Sequence, residues 1–161
     1  MNKKNAGGVS FDDLLEQVRT IVSAEGTGDE RLLEVCKLLN ASVPHYNWVG
    51  FYKVDPANPQ QLAIGPYAGA RTDHVRIDFG KGVCGQVAVD QHTKVVQDVS
   101  AESNYLSCSI DVKAEIVVPV FVDGSFTAEL DIDSNETSPF TDEDMSFCEW
   151  VAALVSPLFR D

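Results

Sequence analysis

The stretch Glu115 to Asp133, EIVVPVFVDGSFTAELDID, decides how this chain folds. Two apolar runs, Glu115 to Val122 and Phe126 to Asp133, flank Asp123-Gly124, a strong hairpin signal. Side chains alternate along a strand, so Ile116, Val118, Val120 and Val122 share a face that Phe126, Ala128, Leu130 and Ile132 must join in one core. A two-residue turn opposes residues of different parity. A three-residue loop at Asp123-Gly124-Ser125 instead pairs Val122 with Phe126 and, further down, Glu115 with Asp133, and is the expected connection. The same register gathers Glu115, Glu129, Asp131 and Asp133 on the opposite face, beside Val117, Pro119 and Phe121. A solvated face of an acidic protein is the plain explanation. The alternative follows from charge: like carboxylates repel, partial burial raises their pKa values, and a bound ammonium relieves both penalties. That describes a pocket for a cationic small molecule, a free amino acid being a natural candidate, with a carboxyl able to donate a proton.

Around this hairpin the rest of the chain falls into an α+β order. Ser10 and Asp13 form a capping pair, and Phe11, Leu14, Leu15, Val18 and Val22 recur at helical spacing until Gly26 and Gly28. A second stripe, Leu32, Val35, Cys36 and Leu39, predicts a helix from about Asp29, with Cys36 in the core. From Trp48 the period becomes two: Trp48, Gly50, Tyr52 and Val54 share one strand face and Val49, Phe51 and Lys53 the other. Trp48 and Tyr52 flank Gly50 as an aromatic wall with room for a ligand, although strand aromatics more often belong to a core. Further strands are expected over 61–64, 74–79 and 94–99, and a short helix over 86–89. The polar connection Ser100 to Lys113 is long for a compact domain and marks a functional loop. Thr141 with Asp144 caps a last helix carrying Phe147, Trp150, Val151, Leu154 and Leu158.

Composition narrows the class. The chain has 161 residues, enough for one self-sufficient core, and 44% are hydrophobic, which excludes disorder. Its 25 acidic and 12 basic residues leave a net charge of −13 and no basic stripe, which argues against nucleic acid and anionic membranes. No apolar run approaches a membrane span, and the start, Met1 to Ser10, lacks the apolar region of a secretory signal, so a cytoplasmic protein with a loose N-terminus over 1–10 is expected. Four cysteines without CxxC spacing then read as reduced thiols. Cys36 and Cys148 sit in apolar stripes and read as inert. Cys84, in Gly80-Lys81-Gly82-Val83-Cys84-Gly85, and Cys108, in the long loop, occupy settings that permit reactivity. Without HExxH or HxH spacing among the three histidines, no metal site is expected. His45 and His92 read as loop residues. His74, beginning the strand that leads to Cys84, either orients a substrate and tunes a thiol or is an exposed strand end.

Taken together the motifs resemble those of the GAF-domain free methionine-(R)-sulfoxide reductases. The likeness spans nearly the whole chain, through Asn47-Trp48-Val49-Gly50-Phe51-Tyr52, Ile64-Gly65-Pro66-Tyr67, Val75-Arg76-Ile77, the glycine-rich segment around Cys84, Gln97-Asp98-Val99, Glu115-Ile116-Val117-Val118-Pro119 and Leu130-Asp131-Ile132-Asp133-Ser134. The resemblance implies a single GAF domain over 11–161, a six-stranded antiparallel sheet with flanking N- and C-terminal helices, and a homodimer. It implies Cys108 as nucleophile, Glu115, Asp131 and Asp133 as substrate-binding carboxylates, Glu115 also as a catalytic group, and Trp48 and Tyr52 as the aromatic part of the pocket. It further implies that free methionine sulfoxide is the substrate, that no cofactor is bound, and that an external thiol reductant such as thioredoxin restores the dithiol. The family usually has a cysteine just before Val-Arg-Ile, where this chain has His74, so Cys84 is left as the resolving thiol. Glu129 also departs from the family, which commonly has a small or aliphatic residue there; His74 and Glu129 are counted as possible pocket residues. The competing reading is a non-catalytic GAF module that binds an amino acid or related cation as a sensor; a third, a structural or partner-binding domain, predicts exposed carboxylates.

Overall fold

A computed structural model of the chain describes residues 10–105 and 111–160, and everything below concerns these. The expected loose N-terminus falls, apart from Ser10, outside them, and so does Cys108.

Two helices open the fold. In α1 (Phe11–Ser23) the Asp13 N–H donates to Ser10 Oγ at 3.4 Å, and Phe11, Leu14 and Val18 are buried. α2 (Gly28–Ser42) begins with a full capping box that the sequence reading missed: Glu30 N–H donates to Thr27 Oγ1, and Thr27 N–H to Glu30 Oε2, each at 3.1 Å. The strands β1 (Trp48–Asp55), β2 (Asn58–Ala68), β3 (Arg76–Asp78), β4 (Lys94–Val96), β5 (Ala114–Val122) and β6 (Ser125–Ser134) form one sheet in the order β3-β2-β1-β6-β5-β4. Every pairing is antiparallel. α3 (Gly82–Asp90) lies between β3 and β4, and α4 (Asp142–Val155) follows β6.

The period-two reading of β1 and β6 sorts correctly into two layers. Val49, Phe51, Ile116, Val118, Val120, Ala128, Leu130 and Ile132 pack with α1, α2 and α4 in the main core. Trp48, Tyr52, Val117, Leu62 and Ile77 face the other way, where α3 covers them with Val83, Cys84, Val87 and Ala88. Burying each large aliphatic side chain is worth about 1.5–3 kcal/mol, so both layers are substantial cores and neither sheet face is left to solvent.

The β5–β6 hairpin corrects one expectation. Its turn is the two-residue Asp123-Gly124, with φ of 52° and 81°, and it pairs Val122 with Ser125 and Phe121 with Phe126. The register then shifts: Val120 opposes Ala128, leaving Thr127 as a one-residue bulge, and Glu115 opposes Asp133 as expected. The favoured primed turn and the core parity are thus both kept, with the bulge absorbing the mismatch. As a consequence Phe126 does not join the helix-side core; it packs edgewise on Phe79 and Phe121 on the opposite layer.

Four other elements differ in their bounds. β2 is much longer than 61–64, because pairing along β1 carries it through Pro66 and Tyr67. β3 and β4 are shorter than expected. α3 begins at Gly82, not Gln86, so Cys84 lies in a helical first turn. Gly82 enters that helix with φ of 64°, which a side chain would resist.

His45 lies in the turn between α2 and β1, a loop residue as expected. It is buried, with Nε2 2.8 Å from Asp144 Oδ1, and the Tyr46 hydroxyl donates to the same oxygen at 2.6 Å. Thr141 N–H and Oγ1 donate to Asp144 Oδ2 at 2.9 and 2.8 Å, while Asp144 N–H donates back to Thr141 Oγ1 at 3.1 Å. One carboxylate therefore caps α4 and ties the α2–β1 connection to it.

Candidate active site

Strand pairing builds the site in three rows across β1, β6 and β5. Trp48 opposes Asp133, which opposes Glu115; Gly50 opposes Asp131, which opposes Val117; Tyr52 opposes Glu129, which opposes Pro119. Directly opposed side chains lie about 4.5–5.5 Å apart at Cβ, so the aromatic strand and the carboxylates share one surface. The four acids inferred from the hairpin are all on it, and none is solvated: Glu115 is 5% exposed, Asp131 and Asp133 1% and Glu129 0%. That burial removes the plain explanation of a wet acidic face.

The aromatic wall is set by a close approach. Trp48 folds across Gly50, where an added Cβ would come within 2.7 Å of both the indole and Tyr67 Cβ. The indole stacks on Tyr67 with ring centroids 5.2 Å apart and lies 6.3 Å from Tyr52. Its Nε1–H donates to the Ala70 carbonyl at 3.0 Å, and the Tyr52 hydroxyl donates to the His74 carbonyl at 2.9 Å. Sequence reasoning overlooked Tyr67 as a wall residue; the extended pairing of β2 with β1 is what brings it there.

α3 supplies the roof. Cys84 Sγ lies 3.9 Å from Glu115 Oε2 and is 4% exposed. Tyr52, His74, Lys81, Cys84, Glu115 and Asp131 line a small cavity of about 10 Å³, room for about one water molecule. His74, half-buried, thus reaches the cavity wall. Asn104 fastens the roof: its Nδ2 donates to the Gly80 carbonyl at 2.8 Å and its Oδ1 accepts from Gly82 N–H at 3.1 Å. Sequence reading had marked this connection as functional but had not singled out Asn104, for which an Asn ahead of Cys108 was the available signal.

The electrostatics are dominated by burial without compensation. Both oxygens of Glu129 and Oδ1 of Asp131 have no hydrogen-bond partner among the described residues. Burial pushes the Glu129 carboxyl well above the ordinary range; the Cys84 thiol beside it, a weak donor without a standard-length bond to it, only moderates the rise, and Asp131 adds to it. Burial likewise raises Asp131, partly offset by contacts with Glu115 and Cys84. The Cys84 thiol is pushed well above its ordinary value by burial first, then by Asp131, Glu129 and Glu115. Proximity to Lys81 and a helix start, which permitted an activated thiol from sequence, is therefore overridden by the acids beneath. Cys36 is raised too, and Cys148 is pushed up to about 12, both by burial, in keeping with inert core thiols.

Such a site holds two carboxyls, Glu129 and Asp131, whose pKa values burial raises, and beside them a thiol raised in the same way. Among the described residues one group has ligand atoms close enough to hold a metal ion, Cys84, Glu115 and Asp131, within 4.8 Å of one another. No described helix is long and apolar enough to cross a membrane.

Comparison with known proteins adds three findings. The GAF domain family model matches residues 13–157. The free methionine-R-sulfoxide reductase of Saccharomyces cerevisiae is 34% identical over 156 residues, covering 90% of this chain and 85% of that protein, and the Escherichia coli protein of the same name is 31% identical, covering 83% and 79%. The X-ray structure of the Neisseria meningitidis free methionine-R-sulfoxide reductase in complex with its substrate superposes with a TM-score of 0.88 at 31% identity, covering 99% of this chain and 96% of that one.

Proposed function

The chain belongs to the GAF domain family and, within it, to the free methionine-R-sulfoxide reductases, and from this we propose that it reduces free L-methionine-(R)-sulfoxide to methionine by thiol chemistry. The observation that carries the reading is the buried acid face of Glu115, Asp131, Asp133 and Glu129 under Trp48 and Tyr52. A free amino acid brings an ammonium that offsets the repulsion among these acids. A methionine sulfoxide within a peptide has an uncharged amide in its place and cannot, which supports a preference for the free form.

In this reading the Cys108 thiolate attacks the sulfoxide sulfur. Oxygen passes to the cysteine sulfur, a proton from a pocket carboxyl assists its departure from the substrate, methionine leaves, and Cys108 becomes a sulfenic acid. Glu115, next to the Cys84 thiol, is the carboxyl we assign to that proton. The Cys84 thiol, its proton taken by the Glu115 carboxylate that the first step leaves 3.9 Å from its sulfur, then displaces the sulfenic oxygen as water, forming a disulfide, and an external dithiol of the thioredoxin class reduces it by exchange. A first-step nucleophile must be a thiolate, and Cys36, Cys84 and Cys148 are all held protonated. Cys84 suits the second step, in which Asn104, anchored to Gly80 and Gly82, stands four residues from Cys108, a span of at most about 14 Å of chain. Asp131, Asp133, Trp48 and Tyr52 bind the substrate, and His74 and Glu129 complete the surroundings. A homodimer in the cytoplasm belongs to the same reading.

Incubating the reduced protein with one equivalent of free L-methionine-(R)-sulfoxide, without added reductant, tests it. About one methionine per chain and a Cys84–Cys108 disulfide are expected, both lost in Cys108→Ser. Binding of the sulfoxide without any methionine would replace the reductase by a ligand-binding module.

A further inference from the structure

The floor of the cavity has a property the reductase chemistry does not require. We infer that, in the reduced protein, it is a binding site for a soft divalent ion of the zinc class, ligated by Cys84 Sγ and the carboxylates of Glu115 and Asp131 with Glu129 behind them, and that the ion inhibits the enzyme.

Four observations meet at this point. First, the three ligand atoms lie within 4.8 Å of one another and the thiol is already 3.9 Å from Glu115 Oε2. Zinc bonds of about 2.3 Å to sulfur and about 2.0–2.2 Å to oxygen place tetrahedral ligands about 3.5 Å apart, so the set needs to close by roughly 1 Å. Second, Asp131, one of the three, is 1% exposed and its Oδ1 has no hydrogen-bond partner among the described residues, and the fully buried Glu129 lies against the Cys84 thiol. Third, the cavity bounded by Cys84, Glu115 and Asp131 holds about 10 Å³, the size of one ion. Fourth, a dication cancels the repulsion that the buried acids and the thiol otherwise impose on one another.

The donor set selects the class of ion. A thiolate among the ligands disfavours magnesium and calcium, which take oxygen donors, and suits zinc or cadmium. Binding involves no redox change: the ion enters, and the Cys84 proton together with any carboxyl protons leaves to solvent. Lys81 also lines the cavity, with its side chain at the exposed rim, and opposes a cation only from the edge. A bound ion occupies the acids that would receive the substrate ammonium and holds the sulfur that would resolve the sulfenic acid. The inhibition rests on the function proposed above; the binding does not.

Cadmium is the direct probe, because a thiolate bound to it gives a charge-transfer band in the ultraviolet. The reduced full-length protein should show the band at about one ion per chain. It should persist in Cys108→Ser, vanish in Cys84→Ser, and require at least tenfold more cadmium in Asp131→Asn and Glu129→Gln, with circular dichroism confirming that each variant is folded. No band in the reduced protein, or one that survives in Cys84→Ser, overturns the site. Zinc added to the single-turnover reaction should abolish methionine formation, with recovery on chelation; full activity at saturating zinc overturns the inhibition. A band obeying these variant rules in a protein that never forms methionine leaves the metal site standing and removes the reductase.

Discussion

Replacing Glu129 with methionine should make the protein more stable. The carboxyl is wholly buried between Tyr52 and Pro119 in the sheet register, and neither oxygen has a partner among the described residues. An unsatisfied buried polar group costs about 1–3 kcal/mol, and methionine is similar in length, apolar, and adaptable enough to fill the space without overpacking. For a chain of this size each kcal/mol moves the melting temperature by about 2–4 °C, so the variant should melt about 2–12 °C higher. Urea unfolding should give a later midpoint with an unchanged slope, because the same surface is exposed on unfolding. Glutamine keeps the shape but retains polar atoms that need partners, and should recover less than methionine. Methionine formation by the Glu129→Met variant should fall as its stability rises, the trade expected where a site is held in an unfavourable arrangement. A Glu129→Met variant melting at or below the parent would refute the argument, since it would mean that the carboxyl is satisfied in the folded protein.

Other outcomes follow from the same geometry. Asp144→Ala removes the α4 cap and leaves His45 and the Tyr46 hydroxyl without their shared acceptor, and should cost about 2–4 kcal/mol by chemical denaturation. Burial alone would raise the Asp144 carboxyl, but bonds from His45, Tyr46 and Thr141 outweigh it and hold its pKa below the ordinary value. Its stabilisation is therefore present above the unfolded carboxyl pKa of about 3.9 and lost as pH falls through the lower folded value; Asp144→Asn should flatten that acid limb of the stability profile. Gly50→Ala forces Trp48 and Tyr67 apart, and should cost about 1–3 kcal/mol and raise KM for the sulfoxide more than it lowers kcat. His74→Cys places a second thiol on the cavity wall and should speed steady-state turnover with a dithiol reductant; unchanged turnover would show that Cys84 already resolves the sulfenic acid fast enough.

Much of this was legible in the chain because burial on one side of a strand forces a period of two. That rule alone put Glu115, Glu129, Asp131 and Asp133 on one surface, paired Glu115 with Asp133, and set Trp48 and Tyr52 on a common face. It could not tell how deep the face lies, because depth depends on α3 folding over it, and the helix starts within a glycine-rich segment that periodicity reads as loop. The environment of the Cys84 thiol was hidden for the same reason: Lys81 is its neighbour in sequence, but the acids beneath, which raise it, come from β5 and β6. Likewise nothing local to His45 announces Asp144, 99 positions away. Cys108, to which the resemblance assigned the central role, lies outside the described residues.

The bulge at Thr127 takes up the one residue by which the tight turn and the core register disagree. Deleting that one residue would run the pairing of the turn straight into Val120 and Ala128, keeping Glu115 opposite Asp133 and Glu129, Asp131 and Asp133 on the cavity face. Adding one residue at the tip while straightening the bulge would leave the acids where they are. The hairpin end is thus insulated from the chemistry beneath it: its length and sequence can drift so long as the off-by-one is settled before residue 128.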